Sequence, residues 1–167
     1  MSDTHERARE LLHLKPKQQN WGGRRAARNK KYNSSSKAVN DYIVLDFETT
    51  GFRAGADQII QIGAIKYADH EVTEIFNTFI NPLRHIPLSV TRLTGISNEM
   101  VESAPVIEEK IHELIDFIGE LPIIAHNASF DMGFLYALEN IEGIEIPAYT
   151  VIDTVKLARK KITQSTD

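Results

Sequence analysis

The chain has 167 residues, enough for one domain with a sizeable apolar core once a polar leader is set aside. Its 42% hydrophobic and 25% charged content is that of an ordinary globule, and no apolar stretch approaches the length that spans a bilayer. Cysteine is absent, which excludes disulfides and thiolate zinc sites, and the formal charge of −4 conceals an uneven distribution.

Residues 1–40 hold ten Lys and Arg against three Asp and Glu, whereas residues 41–167 hold nine against twenty. A basic tail on an acidic domain is a pattern of chains that touch nucleic acid. A solvated, disordered leader explains the same composition. The start is polar and has no apolar signal-peptide core, so no membrane association is expected and a cytoplasmic location is.

Met1 to Asn40 reads as a basic, disordered tail. Glu6 to Leu14 can form a short helix with Ala8, Leu11 and Leu12 on one side, and Pro16 stops it. Trp21 to Tyr32 has no apolar period but mixes cations with two aromatics, which suits phosphate contact and base stacking. Ser34-Ser35-Ser36 reads as a linker, and the globular domain is expected over residues 41–167.

Tyr42 to Phe47 reads as a buried strand. Arg53 to Asp57 is a turn, Gln58 to Tyr67 a second strand, Ala68-Asp69-His70 a tight turn, and Glu71 to Ile80 a third strand. Strands joined so closely pair antiparallel. Ile86 to Asn98 reads as a loop with a short helix. After Pro105, Val106, Ile107, Ile111, Leu114, Ile115 and Ile118 recur at helical spacing, and Gly119 lies just past the end. Leu121 to Ala125 is a short strand, and Ser129 to Glu139 a helix with Phe130, Phe134, Leu135 and Leu138 inward. Tyr149 to Ile152 is a last strand and Thr154 to Lys161 a last helix. The order predicts an α/β fold: a mixed sheet, three antiparallel strands plus parallel ones, flanked by helices.

The chemistry concentrates in two stretches. Ile43-Val44-Leu45-Asp46-Phe47-Glu48-Thr49-Thr50-Gly51 is an apolar strand that ends in two carboxylates one residue apart. Strand side chains alternate faces, so Asp46 and Glu48 point the same way. Two such acids repel, and a cation between them keeps both ionised. Oxygen ligands suit Mg²⁺ or Mn²⁺. A strand end with two solvated acids is the plainer reading. In the second stretch, His126-Asn127-Ala128-Ser129-Phe130-Asp131, a third carboxylate falls in the first turn of a helix that follows a strand. That is where α/β sheets place ligand sites, and the helix N-terminus favours the ionised acid. The lesser alternative is that Asp131 does no more than stabilise the helix start.

Together the two stretches resemble the DEDDh 3′–5′ exonucleases, the family of the proofreading epsilon subunit, and most of all the exonuclease segment of the polymerase C type. Asp46 to Gly51 is similar to the family's first motif and His126 to Asp131 to its second. Asn81-Pro82 with Leu93-Thr94-Gly95-Ile96 is similar to the loop over the terminal nucleotide. The resemblance covers about residues 41–161 and implies a ribonuclease H-like sheet. It implies two metal ions, Mg²⁺ or Mn²⁺, with Asp46 bridging them, Glu48 holding the water-activating one and Asp131 supporting the second. It also implies depressed carboxylate pKa values with metal bound. Thr49, Thr50, Gly51, Leu93, Thr94, His126, Asn127 and Phe130 would line the substrate site. The implied partner is a single-stranded nucleic-acid 3′ end, with DNA the first expectation and RNA left open because nothing here clearly reads a 2′-hydroxyl, and with a DNA polymerase as a further candidate. On their own, Thr49-Thr50-Gly51 reads as a turn with Gly supplying an unusual angle, and Leu93 and Phe130 read as core. His126 reads as a hydrogen-bonded structural histidine.

One departure bears on activity. The family's third motif pairs a His and a fourth Asp, five residues apart, on a final helix. Asp153-Thr154-Val155-Lys156-Leu157-Ala158-Arg159 is similar to the approach to that motif, yet no His follows Asp131 in this sequence. The expectation is a site short of one metal ligand and its base, a sheet without its last covering helix, and weak or absent activity. The competing expectation is a non-catalytic module that binds a nucleic-acid end or a polymerase. A pure interaction domain with an accidental acidic cluster is the third.

Overall fold

The computed structural model describes residues 31–164. The readings of Glu6 to Leu14, of Trp21 to Lys30 and of Asp167 fall outside the described residues.

Six strands form one sheet: β1 (Asn33–Ser35), β2 (Tyr42–Thr49), β3 (Ile59–Ala68), β4 (Glu71–Phe79), β5 (Ile123–Ala125) and β6 (Thr150–Asp153). Their spatial order is β1-β6-β5-β2-β3-β4. The β2-β3-β4 meander is antiparallel, while β2, β5, β6 and β1 run parallel. The mixed sheet expected from the sequence is therefore present. The β3–β4 turn is as tight as predicted: Asp69 and His70 carry φ of 48° and 66°, the twisted geometry of a two-residue hairpin. Asp41 Oδ1 accepts from the Asp69 N–H at 2.9 Å and braces it.

Among the described residues, five helices are interspersed with the strands: α1 (Leu88–Thr94), α2 (Asn98–Val101), α3 (Ile107–Ile118), α4 (Ser129–Ala137) and α5 (Thr154–Gln164), with a 3₁₀ turn at Leu138–Asn140. α3 buries Ile107, Ile111, Leu114 and Ile118, the positions its apolar period predicts. It packs with α4 on one sheet face against Ile43, Leu45, Phe47, Ile62 and Ala64. Phe117 of α3 meets Phe76 of β4, with ring centroids 5.6 Å apart, and the Lys66 ammonium lies 4.6 Å from the Phe117 centroid. On α4 the buried set is wider than the sequence suggested. Asp131, Met132 and Tyr136 are buried with Phe134 and Leu135, while Phe130 is only partly covered.

The opposite sheet face carries Asp46, Val44, Gly63, Ile65, Ile75 and Asn77 in register. It is incompletely covered, and Ile75 remains 67% exposed.

One expectation is corrected. The serine run read as a linker supplies β1: Asn33, Ser34 and Ser35 pair with Thr150, Val151 and Ile152. Serine has no apolar period to announce a strand, and pairing with β6 supplies what propensity lacks. Lys31 forms an ion pair with Glu139, and Tyr32 stacks on Tyr136 with centroids 6.1 Å apart. The end of the basic tail is thus part of the folded unit.

Candidate active site

The parallel strands β2, β5 and β6 all end at one rim, and the chemistry gathers there. β2 ends in Asp46 and Glu48, which share a sheet face as strand alternation requires. β5 leads into His126 and Asn127. Asn127 takes a left-handed φ of 56°, which Asn tolerates, and the chain turns abruptly into α4. That turn places Asp131 in the helix's first turn, where Phe47 N–H of β2 donates to its Oδ1 at 3.0 Å. Backbone of the first motif and side chain of the second are therefore joined directly.

Asp131 is only 2% exposed. Burial pushes its pKa up to about 7, against the bond from Phe47, and the nearby Asp46 and Glu48 charges raise it further. The position at a helix N-terminus predicts an ionised acid, but desolvation outweighs that local field. Glu48 is also raised, by burial and then by repulsion from Asp46. Asp46 is raised by burial, partly offset by His126. The three acids and His126 thus feel one another. Among the described residues, no group of three or more His, Cys, Asp or Glu is placed so that it could hold a metal ion together.

An open groove of about 270 Å³ runs from the acids across the meander, lined by Asp46, Glu48, Gln61, Gly63, Ile75 and Asn77 among others. Gln61 Nε2 donates to Asn77 Oδ1 at 3.0 Å on its floor. The sequence singles out neither amide, because one polar residue on a half-exposed strand carries no distinguishing pattern.

Thr49-Thr50-Gly51 forms a hydrogen-bonded turn. Thr49 Oγ1 donates to Gly51 O at 2.6 Å, and Thr50 Oγ1 accepts from Gln58 N–H at 3.0 Å. Both threonines are buried. Gly51 does not have positive φ; its need is space. A Cβ there would lie 2.6 Å from Asp57 Oδ2, an atom that accepts from Arg53 N–H at 2.9 Å. The unusual-angle reading of Gly51 is corrected accordingly.

Residue type alone places Leu93 in the core, and that is also corrected: it is 76% exposed at the end of α1. Thr94 Oγ1 donates to Val90 O and accepts from Ile96 N–H, so it secures the helix end beside Gly95. His126 is exposed, and its Nδ1 lies 3.0 Å from Thr154 Oγ1. Phe130 packs on Phe134 at 5.0 Å and meets Phe52 edge-on at 6.4 Å. Phe52, 81% exposed, stands beside Phe130 and was not singled out in the sequence; an aromatic directly after Thr-Thr-Gly was the available signal. Asp153 Oδ1 accepts from Val155 N–H at 3.0 Å and caps α5.

The family model described as Exonuclease (RNase_T) matches residues 43–167. The chain belongs to that exonuclease family, and its PolC-type relatives and exonuclease neighbours place it with the DEDDh-type members. It is similar to PolC-type DNA polymerase III of Clostridium perfringens, at 41% identity over 122 residues, covering 72% of this chain and 8% of that protein. Against the PolC-type polymerase III of Bacillus subtilis it is 38% identical over 131 residues, covering 77% and 9%. The chain thus spans about a tenth of the length of these relatives or less. Among solved structures, it resembles exonuclease X in complex with 5′-overhanging duplex DNA (TM-score 0.55, 28% identity, 71% of this chain and 63% of that one). Escherichia coli exonuclease I in complex with an oligonucleotide (TM-score 0.60, 15% identity, 73% and 30%) shares the ribonuclease H-like fold.

Proposed function

We propose that this chain is a divalent-metal-dependent 3′–5′ exonuclease domain that acts on single-stranded DNA 3′ ends, in association with a DNA polymerase. The observation that carries the reading is the coupling of Asp46, Glu48 and Asp131 at one rim, with Asp131 held against β2 by the Phe47 N–H. Exonuclease-family membership and the PolC-type relatives support it. A zinc-bound form of the exonuclease I–ssDNA complex exists among the fold neighbours, in line with a metal here.

The donor type suits a hard divalent cation: three carboxylates, two of them facing one way, all disfavoured as anions while no cation is present, although as placed the three do not form a group that could hold one together. Asp46 and Glu48 would hold it from the strand, and Asp131 from the helix start. A cation held there would supply Lewis-acid stabilisation of charge on the phosphoryl oxygens and a lowered pKa for a bound water. Phe47 N–H fixes the Asp131 carboxylate. Thr49 and Thr50 hold the turn that lets backbone approach the last nucleotide. Phe52, Phe130 and Leu93 offer apolar surface to its base and sugar.

Turnover with these residues alone is slow. His126 is tied to Thr154 and lies beside Asp46, and the described site has no other histidine to take a proton from water. The loss of a positioned base costs ~10²–10⁴ in rate. The open, uncaged acids favour a second reading, a module that binds 3′ ends without cutting.

The two readings separate on a 5′-labelled oligonucleotide incubated with Mn²⁺. Stepwise shortening from the 3′ end, abolished by Asp46→Ala, supports catalysis. Binding without shortening supports the second reading, and neither binding nor shortening contradicts both.

A further inference from the structure

A second groove, of about 230 Å³, lies between β1 and α5, away from the acids. One wall is Ser34 and Ser35 from the edge strand with Ser36 just after it; the other is Lys156, Leu157 and Lys160 from α5, and the Asp153 carboxylate, beside Lys156, also lines the groove. The charge of that helix is unlike its surroundings. Residues 41–167 are strongly acidic, yet Thr154–Gln164 carries Lys156, Arg159, Lys160 and Lys161 and no acid. Lys156 and Lys160 are four residues apart and so project from one flank, over the groove. Lys156 is 4.0 Å from Asp153, a loose pair whose ammonium stays more than half exposed. Lys160 has no ion pair among the described residues.

Cations facing hydroxyls make a site for phosphate oxygens, as lysines supply charge and serines supply donors. The groove is also continuous with the rim. β6 lies two strand spacings from β2, about 10 Å, and Asp153 and Thr154 join β6 to α5. Thr154 bonds His126, which in turn feels Asp46. Moving outward from the acids along the rim, the surface changes from anionic to cationic within two strands.

We propose that the β1–α5 groove binds the phosphodiester backbone of a single strand, upstream of the 3′ end that the acids receive. The proposal rests on the exonuclease reading for the placement of that end, but its electrostatic part is independent of catalysis. The basic edge of an acidic domain thereby gains a purpose, since it holds the strand by its phosphates where the body would otherwise repel it.

Binding of a fluorescent 12-nucleotide single strand to the full chain, read by anisotropy with chelator present, tests this without cleavage. Lys156→Gln/Lys160→Gln should weaken binding at least about tenfold at low salt and lower the log–log salt slope by about 1.4, the share of two phosphate contacts. Lys110→Gln on α3, an equal loss per charge far from the groove, should leave the slope unchanged. The same double variant should hydrolyse a small thymidine 5′-phosphate aryl ester at the wild-type rate with Mn²⁺, because that substrate reaches only the acids. Neutral substitutions on an exposed helix flank leave folding intact, which circular dichroism checks. An unchanged slope in the double variant, or an equal loss with Lys110→Gln, overturns the proposal. If the wild-type chain fails to cleave the ester while the slope falls as stated, the exonuclease reading fails and the groove stands.

Discussion

At the scale of single residues, Asp131 carries two conflicting demands. Its carboxylate anchors the start of α4 to Phe47 of β2, and it must be an anion to serve as a ligand. Burial and two neighbouring acids oppose that charge, and its pKa rises from 3.8 to about 7. The unfolded chain releases this proton near 3.8 and the folded chain only near 7. Between those values the folded state holds more protons, so rising pH erodes stability across that window. Asp131→Asn keeps an oxygen for the Phe47 N–H and removes the buried charge. In metal-free buffer it should raise stability by about 2–4 kcal/mol at pH 8 and by little at pH 4, as measured by urea denaturation at the two pH values. An equal change at both values would place the benefit elsewhere. The acid is legible in the sequence as a residue; its burial is not, because a charged side chain reads as solvated until tertiary packing encloses it.

At the scale of elements, periodicity carried what it could. α3 shows its apolar stripe in the sequence, and Ile111, Leu114 and Ile118 are buried as that stripe predicts. Leu114 is fully buried against the sheet, so Leu114→Ala should cost about 2–5 kcal/mol by loss of transfer energy and the cavity left behind. Denaturant midpoints measure this; a cost under about 1 kcal/mol contradicts the packing. β2, β3 and β4 are legible from alternation and short turns. β1 is not, since three residues of Asn and Ser carry no pattern and exist as a strand only through β6. Leu93 fails in the other direction. An apolar residue on a short helix reads as core, but α1 spans only seven residues, buries none of them and leaves Leu93 outward.

At the scale of the whole molecule, acids and cations separate along one rim of the sheet. The acids sit at the ends of β2 and at the start of α4; the cations sit on α5, beside the edge strand that ends the basic tail. Composition does not announce this polarity, because the cations of α5 lie within the net-acidic residues 41–167 and are averaged away there. That Asp46 and Glu48 share a face and that Asp131 falls in the first turn of a helix after a strand are legible in the sequence, from strand alternation and a strand-to-helix turn. The two grooves are not, since they depend on how a meander and an edge strand leave space. Gln61 and Asn77 on one floor, and Ser34 and Ser36 on one wall, meet only in the folded sheet.

A divalent cation shared by Asp46, Glu48 and Asp131 is the claim on which the proposed chemistry depends. Mn²⁺ titration by isothermal calorimetry, run at pH 6 and at pH 8.5 in buffers of different ionisation enthalpy, measures both binding and proton release. At pH 6 Asp131 is largely protonated, so binding should expel close to one proton from it; at pH 8.5 release should approach zero. Asp131→Asn should abolish the difference, and Asp46→Ala should weaken binding at both pH values. Wild-type affinity and proton release that persist in both variants would contradict the shared-cation site.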